Sequence, residues 1–269
     1  MPSLRELMAD NGYESNDDFS YHVKCLLSSQ TGDLRCLNIE GAPGRRKTAF
    51  ANALATSLEY KHVLYHDFSR ESAPKIISAP IVDEETGEEI EKVERIPPFD
   101  HTVNDACAFS EGDRTILIVD QLQAAPFAEH IRLYKFIRSC RWESANTEFF
   151  ANRNKLLVFL ISEDRLYHSL QKHSFRVWVS DSSMTDKRYR AEDFGLERDA
   201  QAVIDSLLTL FTEVGVMPTF SEFGHILNDI QLNIRTSDEL IHSIFGWTEG
   251  IAHDALKAEP LQDLSLIHI

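Results

Sequence analysis

Apolar runs and amphipathic stretches alternate through the first two thirds of the chain. Thr115-Ile-Leu-Ile-Val-Asp120 and Lys155-Leu-Leu-Val-Phe-Leu-Ile161 are apolar at nearly every position, the pattern of strands covered on both faces. Arg35 to Glu40, His62 to His66 and Phe175 to Val179 read as further strands. The stretch Lys47 to Leu58, rich in Ala and Leu, reads as a helix that follows the Arg35 strand after one tight turn. Strands of this kind separated by helices predict an α/β fold with a mostly parallel sheet, since the strands of a sandwich would alternate apolar and polar. Ile76 to Val82 and Ile90 to Ile96 flank the acidic run Asp83 to Glu89 and predict an inserted β-hairpin turning near Thr86-Gly87, its charged tip solvated.

Outside this core the periodicity becomes helical. Ser3 to Ser28 falls into two helical pieces broken at Asn11-Gly12, with Asp17 or Asp18 placed to cap the second. Arg198 to Glu213, Thr219 to Leu232 and Ser237 to Trp247 are three amphipathic stretches with no strand between them. Pro218-Thr219 and Thr236-Ser237 supply helix starts and Gly215 a stop. The expected organisation is a helical lead-in over 1–33, an α/β domain over 34–181 with an insertion at about 70–107, and a small helical domain over 182–263. The last six residues, Leu264-Ser-Leu-Ile-His-Ile269, resemble the translation of a sequencing adapter, so the natural chain is expected to depart from this one near Asp263.

Composition narrows the classes. With 269 residues, 43% of them apolar, the chain is long enough for a sizeable core. The balance of 27 basic against 43 acidic residues gives a net charge of −16, which disfavours a broad phosphate-binding face of the kind that binds nucleic acid. No apolar run approaches the roughly 20 residues that span a bilayer. The segment Met1 to Phe19 lacks the apolar centre of a secretory signal, so a cytoplasmic location is expected. Cys25, Cys36, Cys107 and Cys140 are too widely spaced for a zinc site and read as reduced thiols. His62, His66 and His101 have no ligand spacing, and Trp142, Trp178 and Trp247 read as core residues.

Gly41-Ala42-Pro43-Gly44-Arg45-Arg46-Lys47-Thr48 fits the phosphate-loop pattern G-x-x-x-x-G-K-[ST] except that Arg46 stands where the second Gly belongs. In that pattern backbone N–H groups curl around phosphates at a helix N-terminus, the Lys reaches the outer phosphates and the hydroxyl binds Mg²⁺. The octapeptide follows a predicted strand and opens a predicted helix, the context the motif requires; without that context it would read as a Pro-Gly turn before a basic helix start. Arg46 either strains and crowds the loop or reaches a phosphate with its guanidinium. The strand ending in Asp120 supplies a second signal, a carboxylate able to hold Mg²⁺ through water beside such a loop.

Together, Gly41 to Gly44 with Lys47-Thr48, and Ile116 to Gln121 followed by Leu122-Gln123-Ala124-Ala125-Pro126, resemble the nucleotide-binding core of AAA+ ATPases. The segment from Asp120 to Pro126 is most similar to the D-E-I-N-R-A-P stretch of the MoxR-like branch. The resemblance covers about Arg35 to Ser180. It implies a three-layer P-loop NTPase core with a C-terminal helical lid, ATP and Mg²⁺ as ligands with Thr48 and Asp120 at the metal, a homo-oligomer, and an unidentified protein client. In the family a Glu follows the magnesium Asp and polarises the attacking water. Here Gln121 stands there, and a carboxamide orients water without accepting its proton, a loss typically of about 10²- to 10⁴-fold. Ser162 resembles the family's polar sensor at the end of the next strand, although it also reads as a cap for a helix over Leu166 to Leu170. The family's trans-acting arginine has no clear counterpart among Lys172, His173 and Arg176. The implied function is an ATP-binding, slow or divergent ATPase, with a non-hydrolysing nucleotide-binding scaffold as the alternative; a P-loop kinase would need a substrate-hydroxyl site that no motif supplies.

Overall fold

The computed structural model describes residues 2–29, 32–41, 44, 46–82, 89–144, 147–179 and 189–251, with backbone alone at 77–82 and 89–94. The first elements are α1 (Leu4–Asp10), α2 (Ser20–Ser28), β1 (Arg35–Gly41), α3 (Arg46–Ser57), β2 (His62–Asp67), β3 (Lys75–Val82), β4 (Glu89–Ile96) and α4 (Pro98–Gly112). They are followed by β5 (Thr115–Asp120), α5 (Phe127–Ser139), β6 (Arg141–Ser144), β7 (Thr147–Phe150), β8 (Leu156–Ile161), α6 (His168–Lys172) and β9 (Phe175–Val179). The C-terminal elements are α7 (Gln201–Val214), α8 (Phe220–Leu232) and α9 (Ser237–Trp247). The chain divides into two compact units, Met1–Tyr13 with Phe19–Val179, and Glu14–Asp18 with Ser180–Ile269.

In the first unit β2, β5, β8, β1 and β9 lie side by side in that order, all parallel. Successive strand residues point to opposite faces, and both faces are covered. Leu37, Ile39, Ile116, Ile118, Leu157 and Phe159 pack with Met8, Phe19, Val23, Phe50 and Leu54 from α1 to α3 and the loop before α2. Cys36, Leu117, Val119, Val158 and Leu160 pack on the other side with Phe99, Val103, Leu133 and Phe136 from α4 and α5. That is why β5 and β8 are apolar without alternation. The fold is α/β, a five-stranded parallel sheet between two helical layers, consistent with a P-loop NTPase core.

The connection from β1 leads to β2 at one edge of the sheet, whereas that from β8 leads across β1 to β9 at the other edge. β1 and β8 are neighbours whose connections run in opposite directions along the sheet, and sheets of this type bind ligands outside the carboxyl ends of their strands.

Several expectations change. The β3–β4 hairpin is present, but its turn, with the acidic tip and Thr86-Gly87, lies outside the described residues. The expected insertion at about 70–107 overlaps α4, which starts at Pro98 and buries Phe99, Val103, Ala106 and Cys107 in the core. A second hairpin, β6–β7, was not anticipated; it seats Trp142 against Phe99 and Phe136, with the Arg132 guanidinium 4.1 Å from the indole and ion-paired to Asp100 at 2.6 Å. The N-cap position of α2 is held by Phe19, not by Asp17 or Asp18, and the Phe19 side chain makes no capping bond. Residues Glu14–Asp18 instead join the helical unit, where Asn16 Nδ2 donates to the Met217 and Pro218 carbonyls at 3.2 and 3.1 Å.

The helical unit has its own core, built on Ile204, Leu207, Phe211, Phe223, Ile226 and Ile244. Thr219 and Thr236 form capping boxes with Glu222 and Glu239. Trp178 and Trp247 are not core residues: Trp178 is 60% exposed on edge strand β9, and Trp247 stacks on His225 while its indole N–H donates to Asp229. Residues 264–269 lie outside the described residues.

Candidate functional site

β1 ends at Gly41, opposite Val179 in the ladder. A Cβ at Gly41 would lie 2.2 Å from the Val179 carbonyl oxygen, so only glycine lets β9 pair with β1 to its last residue. Gly44 has φ +142°, a backbone geometry that glycine adopts freely. Ala42, Pro43 and Arg45 lie outside the described residues. α3 begins at Arg46, which has no positive φ, so a helical residue at this position needs no glycine. The Arg46 guanidinium lies 5.3 Å from the centre of the Tyr13 ring, which packs edge-on against Phe50 in the core. An aromatic face therefore holds the extra positive charge.

Lys47 and Thr48 occupy the first turn of α3. Lys47 is 1% exposed, and its Nζ is 3.0 Å from Glu163 Oε2, whose side chain is 27% exposed. A buried ammonium without a counter-charge would be costly. Thr48 Oγ1 donates to Asp120 Oδ2 at 2.7 Å, the Tyr65 hydroxyl donates to the same oxygen at 2.8 Å, and the Gln121 backbone N–H donates to Asp120 Oδ1 at 2.7 Å. Asp120 is itself 1% exposed, at the end of β5. Burial, followed by the hydrogen bond to Asp120, pushes the Tyr65 phenol well above its usual range, so at neutral pH it is a donor.

Gln121 is left-handed, with φ 56° and ψ 42°, an uncommon geometry for a residue with a side chain. Its Oε1 accepts from Gln123 Nε2 at 2.5 Å. Gln123 Oε1 in turn accepts from Ser162 Oγ at 3.3 Å and from the Glu163 backbone N–H at 3.0 Å. One carboxamide thus ties the end of β5 to the end of β8. Ser162 caps no helix, because α6 starts only at His168, with Tyr167 at its N-cap position.

The structure therefore brings Lys47, Thr48, Asp120, Gln121 and Ser162 to one edge of the sheet. Three further side chains, Tyr65, Gln123 and Glu163, belong to the same cluster. In the sequence Glu163 directly follows Ser162, Gln123 lies within the Asp120 to Pro126 segment and Tyr65 within the His62 to His66 strand, and nothing else marks them. No spacing rule singles them out, because β2, β5 and β8 are joined by long connections. Of the residues considered for a trans-acting arginine, His173 and Arg176 pair elsewhere. His173 Nδ1 is 2.9 Å from Asp33 at the amino end of the sheet, and Arg176 is an exposed strand residue 3.7 Å from Glu40.

Thr48 Oγ1 and Asp120 Oδ2 are hard oxygen donors in mutual contact beside a buried lysine at a helix start, a donor set that suits Mg²⁺ carried in with a phosphate. Among the described residues no cluster of three or more His, Cys, Asp or Glu could hold a metal by itself. His62 stacks on Phe109, and His66 packs against Phe68 and Phe99. Cys36 and Cys107 are buried thiols whose pKa values burial raises, that of Cys107 to about 12. No helix among the described residues is long and apolar enough to cross a membrane.

A lysine and a threonine at the start of α3 and an aspartate ending β5, on a five-stranded parallel α/β sheet, are consistent with a P-loop NTPase core. No protein-family model matches the chain, and no curated protein matches it. Among solved structures it is similar to the 2.00 Å crystal structure of a "putative ATPase" from Cytophaga hutchinsonii ATCC 33406. The identity is 12% over 94% of this chain and 83% of that one, with a TM-score of 0.37. At that level nothing about individual residues carries over from one to the other.

Proposed function

We propose that the protein binds ATP with Mg²⁺ at the carboxyl edge of its sheet and is a slow or divergent ATPase of AAA+ type that couples nucleotide state to remodelling of a protein partner. The observation that carries this reading is the 2.7 Å contact between Thr48 and Asp120, beside buried Lys47, at the carboxyl edge of the sheet. In this reading the loop Gly41 to Arg46 and Lys47 bind the phosphates, Thr48 and Asp120 hold the metal, and Ser162 senses the outer phosphate. The resemblance to AAA+ ATPases favours a homo-oligomer whose helical unit serves as a lid, and the lack of an apolar centre in Met1 to Phe19 favours a cytoplasmic location. Gln121 is the specific observation that favours the alternative, a scaffold that binds nucleotide without turning it over, since its carboxamide cannot accept a proton from water.

Equilibrium titration with Mg·ATP tests the binding claim. The protein is expected to bind, and Lys47→Ala to weaken binding by about 10- to 150-fold, the value of one charge-assisted contact of about 1.5–3 kcal/mol. Absence of binding, or equal affinity for the variant, would refute the claim. Phosphate release by the purified protein, lost on Asp120→Ala, separates ATPase from scaffold.

A further inference from the structure

We propose that Glu163 is the catalytic carboxylate of this site, taking the role that Gln121 cannot perform. The inference rests on the nucleotide-hydrolysing reading above and adds to it the identity of the proton acceptor.

Four observations converge on it. First, the carboxamide at position 121 is already engaged: its Oε1 accepts from Gln123 Nε2, and its Nε2 lies 3.5 Å from Asp120 Oδ1. Second, Glu163 follows Ser162 at the carboxyl end of β8, the strand that lies between β1, which leads into the phosphate loop, and β5, which ends in Asp120. Third, its Oε2 is 3.0 Å from Nζ of Lys47. The lysine of such a loop reaches the outer phosphates, so a carboxylate in contact with it lies next to the place where the terminal phosphoryl group arrives. Fourth, its backbone N–H is held by Gln123 Oε1, which also accepts from Ser162. The main chain of Glu163 is thereby fixed to the same carboxamide pair that follows Asp120, while its side chain stays partly open to water.

Glu163 supplies a counter-charge that makes burial of Lys47 tolerable. An incoming outer phosphate takes over that ammonium, and the carboxylate is released towards the solvent side of the phosphate. There it accepts one proton from a water molecule as the water oxygen bonds to the terminal phosphorus. The bond from that phosphorus to the bridging oxygen breaks, and ADP leaves with the electron pair. The proton then passes from Glu163 to solvent or to the released phosphate. The same carboxylate thus competes with the phosphate for Lys47 and serves as base once the phosphate has displaced it.

The test compares the parent protein with Glu163→Gln and Glu163→Asp, by calorimetric titration with Mg·ATP and by single-turnover hydrolysis of labelled ATP with protein in excess. Glu163→Gln keeps an acceptor for Lys47 and removes the competing charge. It is expected to bind Mg·ATP at least as tightly as the parent while hydrolysing it about 10²- to 10⁴-fold more slowly. Glu163→Asp restores the charge one methylene short and is expected to hydrolyse at least about tenfold faster than Glu163→Gln. Parental hydrolysis by Glu163→Gln, equal rates for the two variants, or loss of nucleotide binding by Glu163→Gln would each overturn the assignment. So would a parent that binds ATP without releasing phosphate. A parent that fails to bind Mg·ATP at all refutes the nucleotide reading itself, and the titration distinguishes that failure from the others.

Discussion

At the carboxyl edge of the sheet, Thr48 reaches Asp120 across 72 positions of sequence and Lys47 reaches Glu163 across 116. In the helical unit, Thr219 reaches Glu222 and Thr236 reaches Glu239 across three. The first set is buried, with Lys47 and Asp120 almost wholly withdrawn from water; the capping boxes lie at helix starts nearer the surface. Polar groups taken out of water cost free energy unless their partners are in place, and those partners arrive only when the whole sheet has formed. A capping box forms with the helix it starts and draws on nothing distant. The sheet edge thus gathers charge where packing alone would favour apolar side chains, which fits a site kept for a ligand, whereas the helical unit uses its polar residues to fix helix ends over an apolar core.

Disturbing each region in turn sharpens the contrast. The largest effect is expected from Gly41→Ala, whose Cβ would collide with the Val179 carbonyl. A backbone oxygen yields little, so unfolding stability should fall by about 3 kcal/mol, measured in urea, and Mg·ATP affinity should fall with it because the loop start moves. Thr219→Ala removes one cap and should lower stability by about 1 kcal/mol, with Mg·ATP affinity unchanged. If Thr219→Ala cost more than Gly41→Ala, the contrast between distant and local polar order would fail.

The smallest expected effect is a pH dependence in the helical unit. The Trp247 indole N–H foremost, then the Ser243 hydroxyl and Asn233, donate to the Asp229 carboxylate and hold its pKa below the usual value. A depressed folded pKa means that the charged form is favoured by folding. The contribution is present in full above the unfolded value of about 3.9 and is lost as pH falls through the lower folded value. Acid unfolding followed by tryptophan fluorescence should show a shallower pH slope below about pH 4 for Asp229→Asn than for the parent; identical slopes would remove this carboxylate from the account.

Much of the architecture was legible beforehand. β5 and β9 span the residues that the apolar runs indicated, α9 spans Ser237–Trp247, and Thr219 and Thr236 stand at the cap positions that the sequence suggested. These depend on neighbouring residues: side-chain alternation, backbone preference and a hydroxyl three positions before a glutamate. The failures are equally physical. β6 and β7 are four residues each, too short for a periodic signal, and Trp142 has its place only because α4 and α5 supply Phe99 and Phe136. Asp17 and Asp18 looked like caps for α2, but Glu14–Asp18 packs with the helical unit, and that tertiary pull outweighs a local capping preference.

Five of the eight residues of the candidate site, with Gln121 and Ser162 among them, were visible beforehand, and three were not. Lys47, Thr48 and Asp120 stand at set distances from glycines or at the end of an apolar strand, so order along the chain was enough to find them. Tyr65, Gln123 and Glu163 carry no such mark. Tyr65 reaches Asp120 because β2 pairs with β5 in a register that sets it opposite Ile118, two residues before the aspartate. Glu163 reaches Lys47 because β8 lies between β5 and β1. The amino-acid sequence by itself determined most of the strands and helices and the loop pattern before α3, because those depend on interactions within a few residues. Which carboxylate faces that lysine was decided only by the order and register of the parallel strands, because those follow from burial of both sheet faces by the whole chain.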